Sequence, residues 1–153
     1  MKKGKQIVVV QSRLSLIKED SEFYSPKISC SDSVKEFAKS IFTKGTLNLR
    51  EEFFIIMLSR SNNVIGFSKI SEGGYSGTIA DGKMIFSTAL LHTNASGIIL
   101  CHNHPSGQLK PSDADLTLTR KLVQFGSMID LPILDHLIIT EEGCYSFADN
   151  GHL

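Results

Sequence analysis

The chain alternates between short apolar runs and segments whose apolar residues recur at helical spacing. Runs rich in β-branched and other apolar residues predict β-strands. They are Ile7–Leu16, Glu51–Leu58, Val64–Ile70, Ser96–Cys101 and Ile133–Thr140, with Gly143–Phe147 as a hairpin partner of the last. The nearly continuous apolar run that begins at Glu51 is typical of a strand buried on both faces.

Three further segments carry apolar residues at helical spacing and are predicted as helices. The first is capped by Ser31 or Ser33 and ends near Phe42, and the second covers Met84–Leu91. The third covers Asp113–Ser127 and directly follows Pro111 and Ser112 in the sequence. The polar stretch Lys18–Ser31 and the glycine-rich stretch Ser71–Gly77 are predicted as loops. Strands alternating with helices predict a layered α/β domain of mixed (α+β) type.

Composition is that of an ordinary globular domain. The chain has 153 residues, of which 41% are hydrophobic and 21% charged. A chain of this length buries roughly two-thirds of the surface that its unfolded form exposes, so it reaches a stable fold without disulfides or a structural metal. A bound metal ion would therefore serve chemistry rather than folding.

The charge balance gives little support for a nucleic-acid partner. Lys+Arg and Asp+Glu both number 16, and the basic run Met1–Lys5 is short. Dedicated nucleic-acid surfaces usually show a net basic balance or a basic stripe. A nucleic-acid partner is therefore only weakly supported, and no pattern indicates the oligomeric state.

The cysteines and the N-terminus indicate a cytoplasmic protein. Cys30, Cys101 and Cys144 are widely spaced and form no CxxC pair, so neither a disulfide framework nor a thiolate cluster is predicted. The apolar run Ile7–Val10 is too short for a signal-peptide core or a membrane span. We expect no membrane partner.

Candidate chemistry is concentrated in HNHPSG, which begins at His102. Residues two apart in a strand point to the same side, so His102 and His104 can direct both imidazoles at one point if the strand continues through Asn103. Asp115, in the first turn of the following helix, offers a third ligand, and two histidines with one carboxylate suit zinc. These three residues form the predicted metal site.

Two further groups complete a hydrolytic site. A carboxylate that takes the proton from a zinc-activated water is available at the start of the strand EEFFIIML, at Glu51 or Glu52. Ser112 offers a hydroxyl to a developing oxyanion. Which glutamate faces the metal depends on the parity of the strand, which the sequence alone leaves open.

The pattern H102-x-H104-x7-S112-x2-D115 resembles the JAMM metalloprotease motif of the MPN/JAB superfamily, and more narrowly its RadC-like branch. The matching stretches are REEFFIIMLSRSNNVIG, HNHPSGQLKPSDADLTLTRKL and LDHLIITEEGCYSF, in the family's order and spacing. They span about 50–147 and are far more specific than a lone His-x-His.

The resemblance implies a JAB/MPN-type mixed sheet with flanking helices, an architecture like that of cytidine deaminases. It implies zinc held by His102, His104 and Asp115, with Glu51 as the general acid/base and Glu52 as the alternative. A peptide or isopeptide amide is then the expected substrate. Residues 49–153 would form the RadC-like domain, and residues 1–48 a strand and helix extension.

Fuller family members carry an N-terminal helix-hairpin-helix segment that binds nucleic acid, and no such segment is readable in 1–48. The chain thus resembles a short form, which weakens a DNA-repair role. Two alternatives to a hydrolase stay open. One is a RadC-like accessory protein in DNA repair or mobile-element biology, and the other is a scaffold that binds metal without catalysis.

Two residues near the motif have competing interpretations. His136, in LDHLII, is either a buried polar residue of its strand or a support of the metal site from behind. Cys101 precedes His102 but points to the opposite face of the strand, so we predict that it is a buried core residue rather than a metal ligand or a nucleophile.

Overall fold

A computed structural model describes residues 26–28, 31–74, 80–92 and 94–153. The predicted strand Ile7–Leu16, most of the predicted loop Lys18–Ser31 and the later part of the glycine-rich loop lie outside the described residues. Among the described residues, no helix is both long and apolar enough to cross a membrane.

Three helices and five strands make up the described part of the chain. In order they are α1 (Ser31–Ile41), β1 (Glu52–Leu58), β2 (Val64–Glu72), α2 (Gly82–Leu90), β3 (Gly97–Asn103), α3 (Asp113–Met128), β4 (Ile133–Ile139) and β5 (Cys144–Ser146). The strands form one sheet in the order β2-β1-β3-β4-β5. Only the β3–β4 pair is parallel among these neighbours. The predicted mixed α/β class is confirmed, and the mixed sheet with its helices is consistent with a JAB/MPN-type fold.

Three element boundaries differ from the sequence prediction by two residues each. Ser71 and Glu72, predicted as loop, continue β2 because they pair with Phe53 and Glu52 of β1. Strand β3 runs two residues further than predicted, to Asn103. Helix α2 begins earlier, at Gly82, because the side chain of Asp81 caps it by accepting a hydrogen bond from the Lys83 backbone N–H at 2.9 Å.

The two faces of the sheet carry separate hydrophobic clusters. Helix α1 packs on one face, where the buried cluster is Val34, Ala38, Phe42, Phe54, Ile56, Leu58, Val64, Ile99, Cys101, Leu137 and Ile139. Helices α2 and α3 pack on the other face, where the buried cluster is Phe53, Ile55, Met57, Ile85, Phe86, Ala89, Ile98, Leu100, Leu122, Leu131 and Ile133. Strands β1 and β3 are buried along their whole length, which explains their continuous apolar sequence.

Two predictions concern the α1 side of the sheet. Cys101 is fully buried there, as predicted, and burial raises its pKa far above the usual range of a thiol. Helix α1 falls within the predicted extension 1–48 and packs into the same cluster as strand residues of the predicted domain. The division at residue 48 stays a prediction.

Candidate metal centre

The end of β3 brings two histidines together. His102 lies in the strand, and the N–H of His104 still donates to the Ile139 carbonyl of β4 at 3.2 Å, so extended geometry continues past Asn103. The Nε2 atoms of the two histidines are 3.0 Å apart. The structure thus brings both imidazoles together at the end of β3.

Asp115 joins them from the first turn of α3. Its Oδ1 is 3.3 Å from His102 Nε2, and its Oδ2 is 3.6 Å from His104 Nε2. The chain reaches this position through a turn in which the Gly107 N–H donates to the His104 carbonyl, with Gly107 at a φ of 78° that favours glycine. One ligand atom from each of the three residues lies within 4.8 Å of the others.

Ser112 orients this aspartate. It caps α3 by accepting a hydrogen bond from the Asp115 N–H at 3.1 Å. In return its own N–H and hydroxyl both donate to Asp115 Oδ2, at 2.7 and 2.6 Å. The structure therefore places Ser112 beside the predicted ligands, with its hydroxyl bound to the carboxylate rather than directed at open solvent.

The protonation of His104 leaves its Nε2 free to bind a cation. Its Nδ1 lies 2.7 Å from the Gln108 carbonyl, and a carbonyl only accepts, so Nδ1 carries the proton of the neutral ring. Burial alone would lower the pKa of His104, but bonding to Asp115 and Gln108 and the charge of Glu51 raise it. Asp115, Gln108 and Glu51 thus favour a positive charge at the His104 ring, whether from a proton or from a bound cation.

The chemistry of this donor set fits a metal ion. Two imidazole nitrogens that face each other at 3.0 Å beside a carboxylate repel one another unless a proton or a metal ion lies between them. Burial would raise the pKa of Asp115, but the imidazoles and the Ser112 hydroxyl hold it well below its usual range. His102, His104 and Asp115 could therefore bind a metal ion.

The two glutamates lie on opposite faces of β1. Phe53 pairs with His102 across the ladder, and their rings stack at 5.7 Å, so Phe53 marks the face of the histidines. Glu51 precedes Phe53 by two residues and exchanges backbone hydrogen bonds with Gly73 and Gly74, which keeps this segment extended. By strand alternation Glu51 shares the histidine face.

Glu52 points to the other side and is fully buried. It accepts hydrogen bonds from the N–H and hydroxyl of Thr43 and forms an ion pair with Lys69. Burial would raise its pKa, but these contacts hold the pKa at about 2. Of the two candidates, the structure therefore brings Glu51 to the metal-ligand face and gives Glu52 a buried ion pair.

Asn103, between the two histidines, is a site residue that sequence reasoning missed. Its side-chain oxygen accepts from the Glu52 N–H at 2.8 Å, and its Nδ2 donates to the Leu47 and Arg50 carbonyls at 2.7 and 2.8 Å. Asn103 thereby ties the segment that carries Glu51 to the ligand strand. The sequence did carry one signal for this role. Asn103 lies between two residues that share one face of the strand, so its amide points to the opposite face and must find its hydrogen-bond partners there.

His136 of β4 lies directly behind His102. It is fully buried, its ring stacks on Phe147 at 4.6 Å, and its Nε2 is 2.8 Å from His102 Nδ1. Its Nδ1 is 2.6 Å from the hydroxyl of Thr119 on α3, a second site residue that sequence reasoning missed. Burial, and to a lesser degree the charge of His102, lower the pKa of His136 well below its usual value. The contact with His102 favours the supporting role among the two predicted for His136.

Comparison with known proteins agrees with this geometry. A family model described as "RadC-like JAB domain" matches residues 28–152. A UPF0758 protein of Flavobacterium johnsoniae is 50% identical over 101 residues, which cover 66% of this chain and 44% of the relative. UPF0758 protein YkfG of Escherichia coli is 41% identical over 104 residues, covering 68% and 65%.

A third relative aligns along nearly the whole chain. UPF0758 protein CA_C1241 of Clostridium acetobutylicum is 34% identical over 151 residues, which cover 99% of this chain and 64% of the relative. The chain thus spans between 44% and 65% of the length of these three curated relatives. On the extent of the match and the arrangement of its histidines and aspartate, the chain belongs to the RadC-like JAB domain family.

Proposed function

We propose that this protein is a zinc-dependent hydrolase of the JAMM type that cleaves a peptide or isopeptide amide bond. The observation that carries the proposal is the convergence of His102 Nε2, His104 Nε2 and the Asp115 carboxylate at 3.0 to 3.6 Å, with Glu51 on the same face. Three such ligands leave one coordination position for water or substrate. A zinc ion held there supplies Lewis acidity and a water-derived nucleophile near neutral pH.

The openness of the site favours catalysis over a structural role. The His104 and Asp115 side chains are each 15% exposed, whereas His102 is almost fully buried. One side of the ligand set is thus held by the protein interior and the other is accessible to solvent. The two hydrophobic clusters already provide a core, so the fold does not depend on a metal for its stability.

Glu51 and Ser112 have separate proposed roles. Glu51 takes the proton of the attacking water and delivers it to the leaving amine, because it is the carboxylate on the histidine face and its charge acts on His104. Ser112 holds Asp115 in place and turns its hydroxyl from Asp115 Oδ2 to the developing oxyanion. The role of Ser112 requires only that its hydroxyl change hydrogen-bond partner, because its N–H also donates to Asp115 Oδ2.

The test combines zinc content with hydrolysis. Wild-type protein is loaded with zinc, dialysed and assayed against an internally quenched peptide library and a set of ε-lysyl isopeptides. His104→Ala and Asp115→Ala are expected to lose both zinc and hydrolysis. Glu51→Gln is expected to keep zinc and lose roughly 100-fold or more of the hydrolysis, as removal of a general base does. Glu36→Gln, an exposed carboxylate of α1, is the matched control and should behave as wild type.

Three outcomes would contradict parts of the proposal. A wild-type protein that takes up no zinc removes the metal site. Zinc binding without hydrolysis of either substrate set favours the non-catalytic scaffold. DNA affinity that falls steeply with salt, measured on a labelled duplex, favours the nucleic-acid-associated role instead.

A further inference from the structure

We propose that Thr119 and His136 form a hydrogen-bonded relay that places the ring proton of His102 on Nδ1, so that its Nε2 lone pair faces His104 and Asp115. Both are positioning residues that act through His102. The link to zinc affinity depends on the proposed function, whereas the position of the proton is a property of the metal-free protein.

The relay starts at the hydroxyl of Thr119. This oxygen lies 2.6 Å from the Asp115 carbonyl, which only accepts, so the single hydroxyl hydrogen lies between them. The same oxygen lies 2.6 Å from His136 Nδ1. Since the hydroxyl has no second hydrogen, it accepts there, and His136 Nδ1 carries a proton.

The protonation of His136 on Nδ1 determines which atom donates in its hydrogen bond with His102. Among the described residues, its ring nitrogens have two hydrogen-bond partners, Thr119 and His102, and neither is a carboxylate. Enclosed between the rings of Phe53 and Phe147 and fully buried, the imidazole is neutral. Its Nε2 therefore accepts, and His102 Nδ1 donates to it at 2.8 Å.

The opposite direction is unfavourable. If Thr119 donated to His136, its oxygen and the Asp115 carbonyl oxygen would face each other at 2.6 Å with no hydrogen between them. His102 would then carry its proton on Nε2, the atom that lies 3.0 Å from His104 Nε2, and could not bind a metal through it. The Thr119 hydroxyl is the group that excludes this arrangement.

The relay also connects the elements that carry the ligands. Thr119 lies one helical turn after Asp115 on α3, and His136 is on β4, the parallel neighbour of the strand that carries His102. The path from the Asp115 carbonyl to the His102 ring therefore runs through buried atoms, away from the open side of the site. Partners of this kind fix the orientation and tautomer of metal-binding histidines.

Four substitutions separate the relay from general packing. Thr119→Val keeps the shape of the side chain and removes the hydroxyl, while Thr119→Ser keeps the hydroxyl. Thr140→Val is the matched control, because Thr140 is also a buried threonine, and its side-chain hydrogen bonds within the described residues are to Gly143 and not to Thr119 or His136. His136→Phe removes both ring nitrogens and keeps an aromatic ring on Phe147.

The first measurement is the long-range ¹H–¹⁵N imidazole spectrum of the metal-free protein. Wild type, Thr119→Ser and Thr140→Val are expected to show His102 protonated on Nδ1, whereas Thr119→Val shows a mixture of tautomers. The second is zinc affinity by competition with a chromophoric chelator. Thr119→Val and His136→Phe are expected to lose roughly 10- to 100-fold in affinity, and the serine and control variants to stay close to wild type.

The relay is overturned if His102 of the wild type carries its proton on Nε2, or if Thr119→Val has the tautomer and zinc affinity of wild type. If His136→Phe does not fold, the comparison of Thr119→Val with Thr119→Ser is sufficient to test the relay. A wild-type protein that takes up no zinc contradicts the proposed function. The imidazole spectrum of the metal-free protein still tests the relay in that case.

Discussion

Glu52→Gln is expected to destabilise the protein by about 3 kcal/mol at neutral pH without removing the metal site. Glu52 is fully buried on the face away from His102, where it accepts from Thr43 and pairs with Lys69. The substitution keeps the shape of the side chain and removes its charge. It leaves Lys69 with Glu72, 2.8 Å away, as its remaining ion-pair partner.

The magnitude follows from the pKa of Glu52. The carboxyl has a pKa of about 2 in the folded protein and 4.5 ordinarily. At about 1.4 kcal/mol per pKa unit, this difference contributes roughly 3 kcal/mol of stability. Removing one partner of a buried ion pair typically costs about 3–5 kcal/mol, and the Lys69 side chain, 33% exposed, can reach water, which favours the lower end.

The pH dependence has a definite sign. Because the pKa of Glu52 is lower in the folded state, its contribution is complete above pH 4.5 and is lost as the pH falls toward 2. Urea denaturation of wild type and Glu52→Gln across this range should show a gap of about 3 kcal/mol at neutral pH that shrinks in acid.

Glu51→Gln is the matched control in the same titration, and we expect it to have nearly wild-type stability at every pH. Equal stabilities of wild type and Glu52→Gln at neutral pH would refute the assignment of Glu52 to a stabilising ion pair. So would a gap that does not change with pH, or a loss in Glu51→Gln as large as that in Glu52→Gln.

Three further predictions follow from the contacts. Asn103→Leu leaves the buried Glu52 N–H and the part-buried Leu47 and Arg50 carbonyls without this side-chain partner, at about 1–3 kcal/mol for the buried group and less for the other two, and should lower hydrolysis more than zinc affinity. Gly126→Ala places a Cβ 2.6 Å from the Leu131 carbonyl oxygen and should cost about 1–3 kcal/mol in thermal unfolding, whereas Gly74→Ala, in open space, should not. Ser112→Ala removes a helix cap and a donor to Asp115, so it should lose about 1 kcal/mol and bind zinc more weakly, while Ser112→Thr retains both.

The metal-ligand geometry was predictable because it depends on local structure. His102 lies in β3 and His104 follows it by two residues, directly after the strand, while Asp115 lies three residues after a serine that caps a helix. Strand alternation and helix capping are properties of a few neighbouring residues. They therefore hold before the rest of the fold is known.

The supporting contacts depend on register and were not predictable. The choice between Glu51 and Glu52 needs the pairing of Phe53 with His102, which only the β1–β3 ladder provides. The contact of Thr119 with His136 needs the position of α3 over β4, and nothing in either local sequence encodes it. Sheet register and helix placement are set by packing across the whole core.

The most direct test is a crystal structure of zinc-loaded protein with an anomalous difference map at the zinc absorption edge. The account predicts one strong peak about 2.0–2.2 Å from His102 Nε2, His104 Nε2 and an Asp115 carboxylate oxygen, with Glu51 as the nearest carboxylate that is not a ligand. No peak at this position, or coordination of the zinc through the Nδ1 atom of either histidine, would contradict it.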